Sequence, residues 1–108
     1  MSLDVYLFCP ECGHTVGEHN VTHNLRNMAD EAGIYELLWK PDEIGVTHAR
    51  QMIEPLRAAI ADMKARPEHY RPLEASNGWG TYDRFVPWLE DLALCCENVP
   101  TAEVQVCR

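Results

Sequence analysis

Cys9-Pro10-Glu11-Cys12-Gly13-His14 is the first segment whose spacing carries chemistry. A Cys-x-x-Cys followed by Gly lets backbone amides point at two thiolates, as in a zinc knuckle. Zinc takes four Cys or His ligands in a tetrahedron, so Cys9 and Cys12 are half a site. His14, His19 and His23 lie close behind, and His19 and His23, at a spacing of four, are candidates for the rest. A second Cys-x-x-Cys is absent, because Cys95 and Cys96 are adjacent and Cys107 stands apart. The plainer reading is a turn bearing two free thiols. A redox pair fits less well, since these cysteines do not open a helix in a βαβ context.

Two further segments combine hydrogen-bonding groups with aromatic rings. Asn20-Val21-Thr22-His23-Asn24 places four polar side chains where a helix should begin. Thr22 or Asn24 can satisfy the free N–H groups of a helix start, which occupies one residue and leaves three for a ligand. In Asn77-Gly78-Trp79-Gly80-Thr81-Tyr82, two glycines flank an indole and allow a tight turn with close backbone approach. Trp79 either plugs the core, the favoured reading, or forms a flat wall for a stacked ring. Tyr35 and Trp39 pose the same question and read first as core.

Other chemistry has poor material. The chain lacks a phosphate loop, GxGxxG, G-x-S-x-G and HExxH, and its only serines are Ser2 and Ser76. Asp42/Glu43 and Glu90/Asp91 are adjacent, so their carboxylates splay apart on a helix. In 108 residues, 17 acidic against 9 basic side chains give a net charge of −8. That balance argues against sequence-independent nucleic-acid binding and against an anionic membrane surface. An anionic ligand would need local cations, and Arg50, Arg57, Lys64 and Arg66 read mainly as surface charge pairs. No membrane span or export signal is read from the chain, and five cysteines do not suit a complete disulfide framework. A soluble protein of the cytoplasm with reduced thiols is the expectation.

These segments must be held by a small α+β domain spanning residues 1–108. Leu3, Val5 and Leu7 alternate as in a strand, and residues 103–107 alternate likewise. The two termini are therefore expected to share a small antiparallel sheet, with three main helices packed on it. Leu25, Met28, Ala29 and Ala32 mark the first helix, which Gly33 ends, and residues 34–39 form a short apolar turn or helix stopped by Pro41. The second, capped by Thr47, carries Met52, Ile53, Leu56, Ala59, Ile60 and Met63, with Pro55 expected to kink or restart it. The third follows Thr81 or Asp83, with Tyr82, Phe85, Val86, Leu89, Leu92, Ala93 and Cys96 on its buried stripe. Trp88 lies off that stripe and should be partly exposed. Residues 66–80, broken by Pro and Gly, read as a loop.

The run from Asn20-Val-Thr-His-Asn-Leu through Ala32-Gly-Ile-Tyr35-Glu-x-Leu-Trp39-x-Pro-x-Glu43-Ile-Gly45, with Asn77-Gly-Trp-Gly-Thr-Tyr82 and the ending Ala102-Glu-Val-Gln-Val-Cys-Arg108, resembles a family of small phage, prophage and bacterial proteins. The resemblance covers most of the chain and brings no enzymatic activity with it. It implies that any metal at Cys9 and Cys12 is a local feature. It also suggests one pocket formed by the two motifs, with Asn20, Thr22, His23, Asn24, Tyr35, Trp39, Asn77, Trp79 and Tyr82 as ligand contacts. The leading expectation is a non-catalytic binder of a small ligand, in its sharpest form a sponge for a nucleotide-derived immune signal in the host cytoplasm. A protein-interaction inhibitor of a host enzyme, with zinc rigidifying its N-terminal loop, is the alternative. An enzyme using His23 as a general base comes third. A homo-oligomer could complete the pocket walls.

Overall fold

A computed structural model describes residues 2–74 and 78–108. The protein is an α+β fold in which the two terminal strands share one antiparallel sheet. Strand β1 (Ser2–Phe8) is central, with β2 (Thr15–Thr22) on one side and β3 (Glu103–Cys107) on the other. Leu3, Val5 and Leu7 are fully buried on one face of β1, because alternate side chains of a strand point the same way. They pair with Val21, His19 and Gly17 of β2, and Val5 and Leu7 pair with Val106 and Val104 of β3. Val16 is an extra residue in β2, where the register shifts between Leu7 and Phe8.

Strand β2 departs from the sequence reading, which had no strand there. Its inward positions are Gly17, His19 and Val21, so the apolar alternation that marks a strand is hidden. Gly17 is closely packed: a Cβ there would lie 2.6 Å from the Cys95 sulfur, which would have to move aside.

Helix α1 (Arg26–Glu31) follows a single 3₁₀ turn (His23–Leu25), and α2 (Tyr35–Trp39) runs into a second such turn (Pro41–Ile44). The long helices α3 (Arg50–Ala65) and α5 (Tyr82–Asn98) bury the two expected stripes, although Ile53 is only partly buried. Helix α3 continues through Pro55 as one element. Thr47 does not cap it as expected. Instead the Gln51 side-chain carbonyl accepts the N–H groups of Thr47 (2.7 Å) and His48 (2.9 Å), so the helix reaches back to its own entry.

The segment read as a loop contains α4 (Pro67–Tyr70) and a 3₁₀ turn (Arg71–Leu73). Its anchor is Tyr70, fully buried, whose hydroxyl donates to Asp62 while Arg66 clamps the same carboxylate at 2.7 and 3.0 Å. The Arg66 and Tyr70 hydrogen bonds pull Asp62 down to about 2, and burial pushes Tyr70 up to about 12. Among the described residues, no helix is long and apolar enough to cross a membrane.

Candidate functional site

The sequence motif at residues 20–24 straddles the end of β2 and the 3₁₀ turn that follows. Thr22 has extended backbone and its hydroxyl accepts the Asn24 N–H at 3.2 Å, so Thr22 is the residue that caps. Asn20 is on the strand, opposite Asp4, and its amide nitrogen donates to Asp4 (2.7 Å) and Ser2 (3.0 Å). Those bonds orient the amide and leave its carbonyl oxygen as an acceptor. Asn24 is exposed, and its side chain makes no hydrogen bond among the described residues.

His23 is fixed by Trp39. The indole N–H donates to His23 Nδ1 at 2.8 Å, with the rings 6.1 Å apart and tilted by 41°. Because Nδ1 is the acceptor, the neutral imidazole carries its proton on Nε2. Trp39 is buried, as the sequence reading favoured, and Tyr35 stacks on it at 5.5 Å and 17°. The short α2 thus presents a layered edge, Tyr35 over Trp39, tied to the polar turn through one hydrogen bond.

The second motif meets the first at Gly80. A Cβ there would sit 3.0 Å from both Thr22 and Leu25, and its φ of +97° is in the range that favours glycine. Only hydrogen at this position allows so close an approach. Trp79, next to it, is 70% exposed and does not plug the core, contrary to the favoured reading. Two glycines with positive φ, Gly78 and Gly80, carry the backbone around it and turn the indole outward.

The result is an open cleft of about 940 Å³, lined by Asn20, Thr22, His23, Asn24, Tyr35, Trp39 and Trp79 together with Ser2, Arg26 and Arg108. Its volume is that of a small-ligand site. Asn77 lies outside the described residues. Tyr82 is a correction: it is buried in the α5 stripe, its hydroxyl donates to the Met63 carbonyl at 2.8 Å, and Arg71 lies 4.6 Å over its ring. As the first residue of a helix whose apolar face enters the core, it turns away from the cleft.

Arg26 and Arg108 are the cations that sequence reasoning missed. Arg26 opens α1, its Nε donates to the His23 carbonyl at 3.1 Å, and it makes no ion pair among the described residues. Arg108 follows β3 and is 3.8 Å from Glu43, a long and exposed pair. Of the four cations read as holding surface charge pairs, Arg50 makes no ion pair among the described residues, and the other three are engaged away from the cleft. Arg57 pairs with Glu97 at 2.6 Å, Lys64 with Glu90 at 2.8 Å and Arg66 with Asp62 at 2.7 Å, the charge-pair role expected of them.

The proposed zinc ligands do not gather within one chain. Cys9 and Cys12 lie in the β1–β2 turn, His19 stands edge-on to Trp88 with ring centres 6.1 Å apart, and His23 faces Trp39. Among the described residues, no three Cys, His, Asp or Glu side chains group as a metal site. The five cysteines are unbridged. Trp88 is half-buried, in line with its place off the stripe.

No family model, curated protein or solved structure matches the chain.

Proposed function

We propose that the cleft binds a small, planar, anionic ligand and releases it unchanged. The observation that carries this reading is the meeting of Trp79 with the Tyr35–Trp39 edge around a polar floor. Flat rings offer stacking faces for a heterocycle. The Asn20 carbonyl, the Asn24 amide and the Nε2 proton of His23 are directional groups for its edge or sugar. Arg26 and Arg108 supply the positive charge that a phosphate needs on a chain of net charge −8. A nucleotide or nucleotide-derived signal matches these requirements.

Binding without turnover is supported by the His23–Trp39 bond. A general base needs a free lone pair, and the only unprotonated nitrogen of neutral His23 already accepts the indole N–H. In its narrower form the reading is a sponge: a phage or mobile-element protein that sequesters an immune signal in the host cytoplasm.

Calorimetric titration of the purified chain with adenine and guanine nucleotides, cyclic dinucleotides and ADP-ribose tests it. The expected result is saturable binding of one class below about 10 μM, roughly −7 kcal/mol, with the ligand recovered intact. Absence of binding across the panel overturns the reading. Turnover that disappears in a folded His23→Ala variant would replace it with an enzyme.

A further inference from the structure

The sheet has a second face that neither the core nor the cleft accounts for. Leu3, Val5 and Leu7 of β1 are buried in the core with the helices, so Ser2, Asp4, Tyr6 and Phe8 point the other way, and all four are only half-buried. The strand register places Glu18 and Gln105 on either side of Tyr6, and Thr15 and Glu103 on either side of Phe8. Glu18, Gln105 and Glu103 are exposed. Neighbouring strands lie about 4.8 Å apart, so these side chains are within reach of the rings they flank. The Tyr6 and Phe8 rings are themselves neighbours on the middle strand, 6.0 Å apart and tilted by 35°. Asp4, next along the same strand, accepts the Asn20 amide, while Glu18 and Glu103 make no ion pair among the described residues. No Lys, Arg or His occupies an outward position of the three strands.

We propose that this open face docks an arginine-rich segment of a partner protein, guanidinium groups lying on the Tyr6 and Phe8 rings and pairing with Glu18, Glu103 and Asp4. Ring faces and carboxylates favour the same occupant, a cation, and the chain's net charge of −8 draws it in. A guanidinium is planar and weakly hydrated, so it can stack on a ring while its N–H fork reaches a carboxylate beside it. A lysine ammonium holds its water more tightly and offers no flat face. Exposed rings on a sheet also suit stacked nucleobases, but here the phosphates would lie against Glu18 and Glu103 with no outward cation to meet them. A second copy of the chain would set two acidic faces against each other. The cations begin only beyond the sheet, where Arg108 follows β3 at the cleft. This inference uses neither the indoles of the cleft nor a small ligand, and it stands apart from that reading.

The test is fluorescence anisotropy of labelled nona-arginine and nona-lysine peptides titrated with the full chain at physiological ionic strength. The expected result is saturable binding, with nona-arginine held about five-fold more tightly than nona-lysine. Tyr6→Leu together with Phe8→Leu should erase that preference, with an unchanged circular dichroism spectrum. Glu18→Gln with Glu103→Gln should weaken both peptides by about ten-fold. Glu54→Gln with Glu68→Gln removes the same charge from exposed positions on α3 and α4 and should change affinity by less than about two-fold. Should the ring variant fail to fold, the two glutamate pairs and the peptide comparison still decide. Absence of binding, equal affinity for the two peptides, or equal weakening by the two glutamate pairs would each overturn the proposal. So would a dimer of the chain alone that dissociates when Glu18 and Glu103 are changed, which would assign the face to a second copy.

Discussion

Two histidine–tryptophan pairs in this small protein share a ring separation of 6.1 Å and differ in everything that follows from angle. His23 and Trp39 are tilted by 41°, which brings the indole N–H onto the imidazole Nδ1. His19 and Trp88 meet edge-on at 89°, and His19 Nδ1 and Trp88 Nε1 are both buried without a hydrogen-bond partner among the described residues. The first pair satisfies the indole N–H and the imidazole Nδ1, fixes a tautomer and joins a buried wall to an open cleft. The second fills space between β2 and α5 at the expense of two unmet hydrogen bonds. The same residue types therefore organise a site in one place and only pack in the other.

The contrast can be broken most severely at Trp39. Trp39→Ala should destabilise the fold by about 3–5 kcal/mol, since a fully packed indole is removed and its cavity cannot refill. Chemical denaturation would read that loss, and any ligand binding should go with it. A finer cut exchanges only the N–H. Trp39→Phe strands the His23 nitrogen and should destabilise by roughly 1–2 kcal/mol, whereas Trp88→Phe removes an unpaired polar atom and should be neutral or stabilising within about 1 kcal/mol. Equal losses in the two variants would show that the two pairs are equivalent after all.

The smallest effect is in pH dependence. Burial lowers the His19 pKa below 6.5, with Asp91 opposing that shift. The unfolded chain therefore binds the proton more readily than the folded one. The preference for neutral His19 contributes fully above about pH 6.5 and is lost as pH falls through the depressed folded value. Denaturation midpoints measured from pH 7 downward should decline with that sign, and His19→Leu should flatten the slope. A rise in stability toward acid would contradict the burial of an unpaired imidazole.

Much of the fold was legible because its signals are local. The terminal strands show alternation at Leu3, Val5 and Leu7 and at Val104 and Val106, and α3 and α5 carry apolar stripes long enough to be unambiguous. Strand β2 was illegible for a physical reason: two of its inward residues are Gly17 and His19, one without a side chain and close to the Cys95 sulfur, the other polar. In the cleft, residues 20–24, Tyr35, Trp39 and Trp79 carried visible motifs. Tyr82 belonged to both a motif and a helical stripe, and the stripe prevailed because α5 begins at that residue and buries it. Arg26 and Arg108 had no local mark, because their place at the cleft follows from the β1–β3 pairing and the turn after β2. Isolated charges acquire meaning only through such long-range placement.

Three tryptophans give three indole N–H probes, one on each side of this comparison and one at the mouth of the cleft. A nitrogen–proton correlation spectrum recorded while the nucleotide panel is titrated addresses the central claim most directly. The account predicts that the Trp79 and Trp39 signals move together and saturate with one ligand class, while Trp88 stays where it is. Signals that never move, or a ligand that shifts Trp88 and leaves Trp79 untouched, would contradict it.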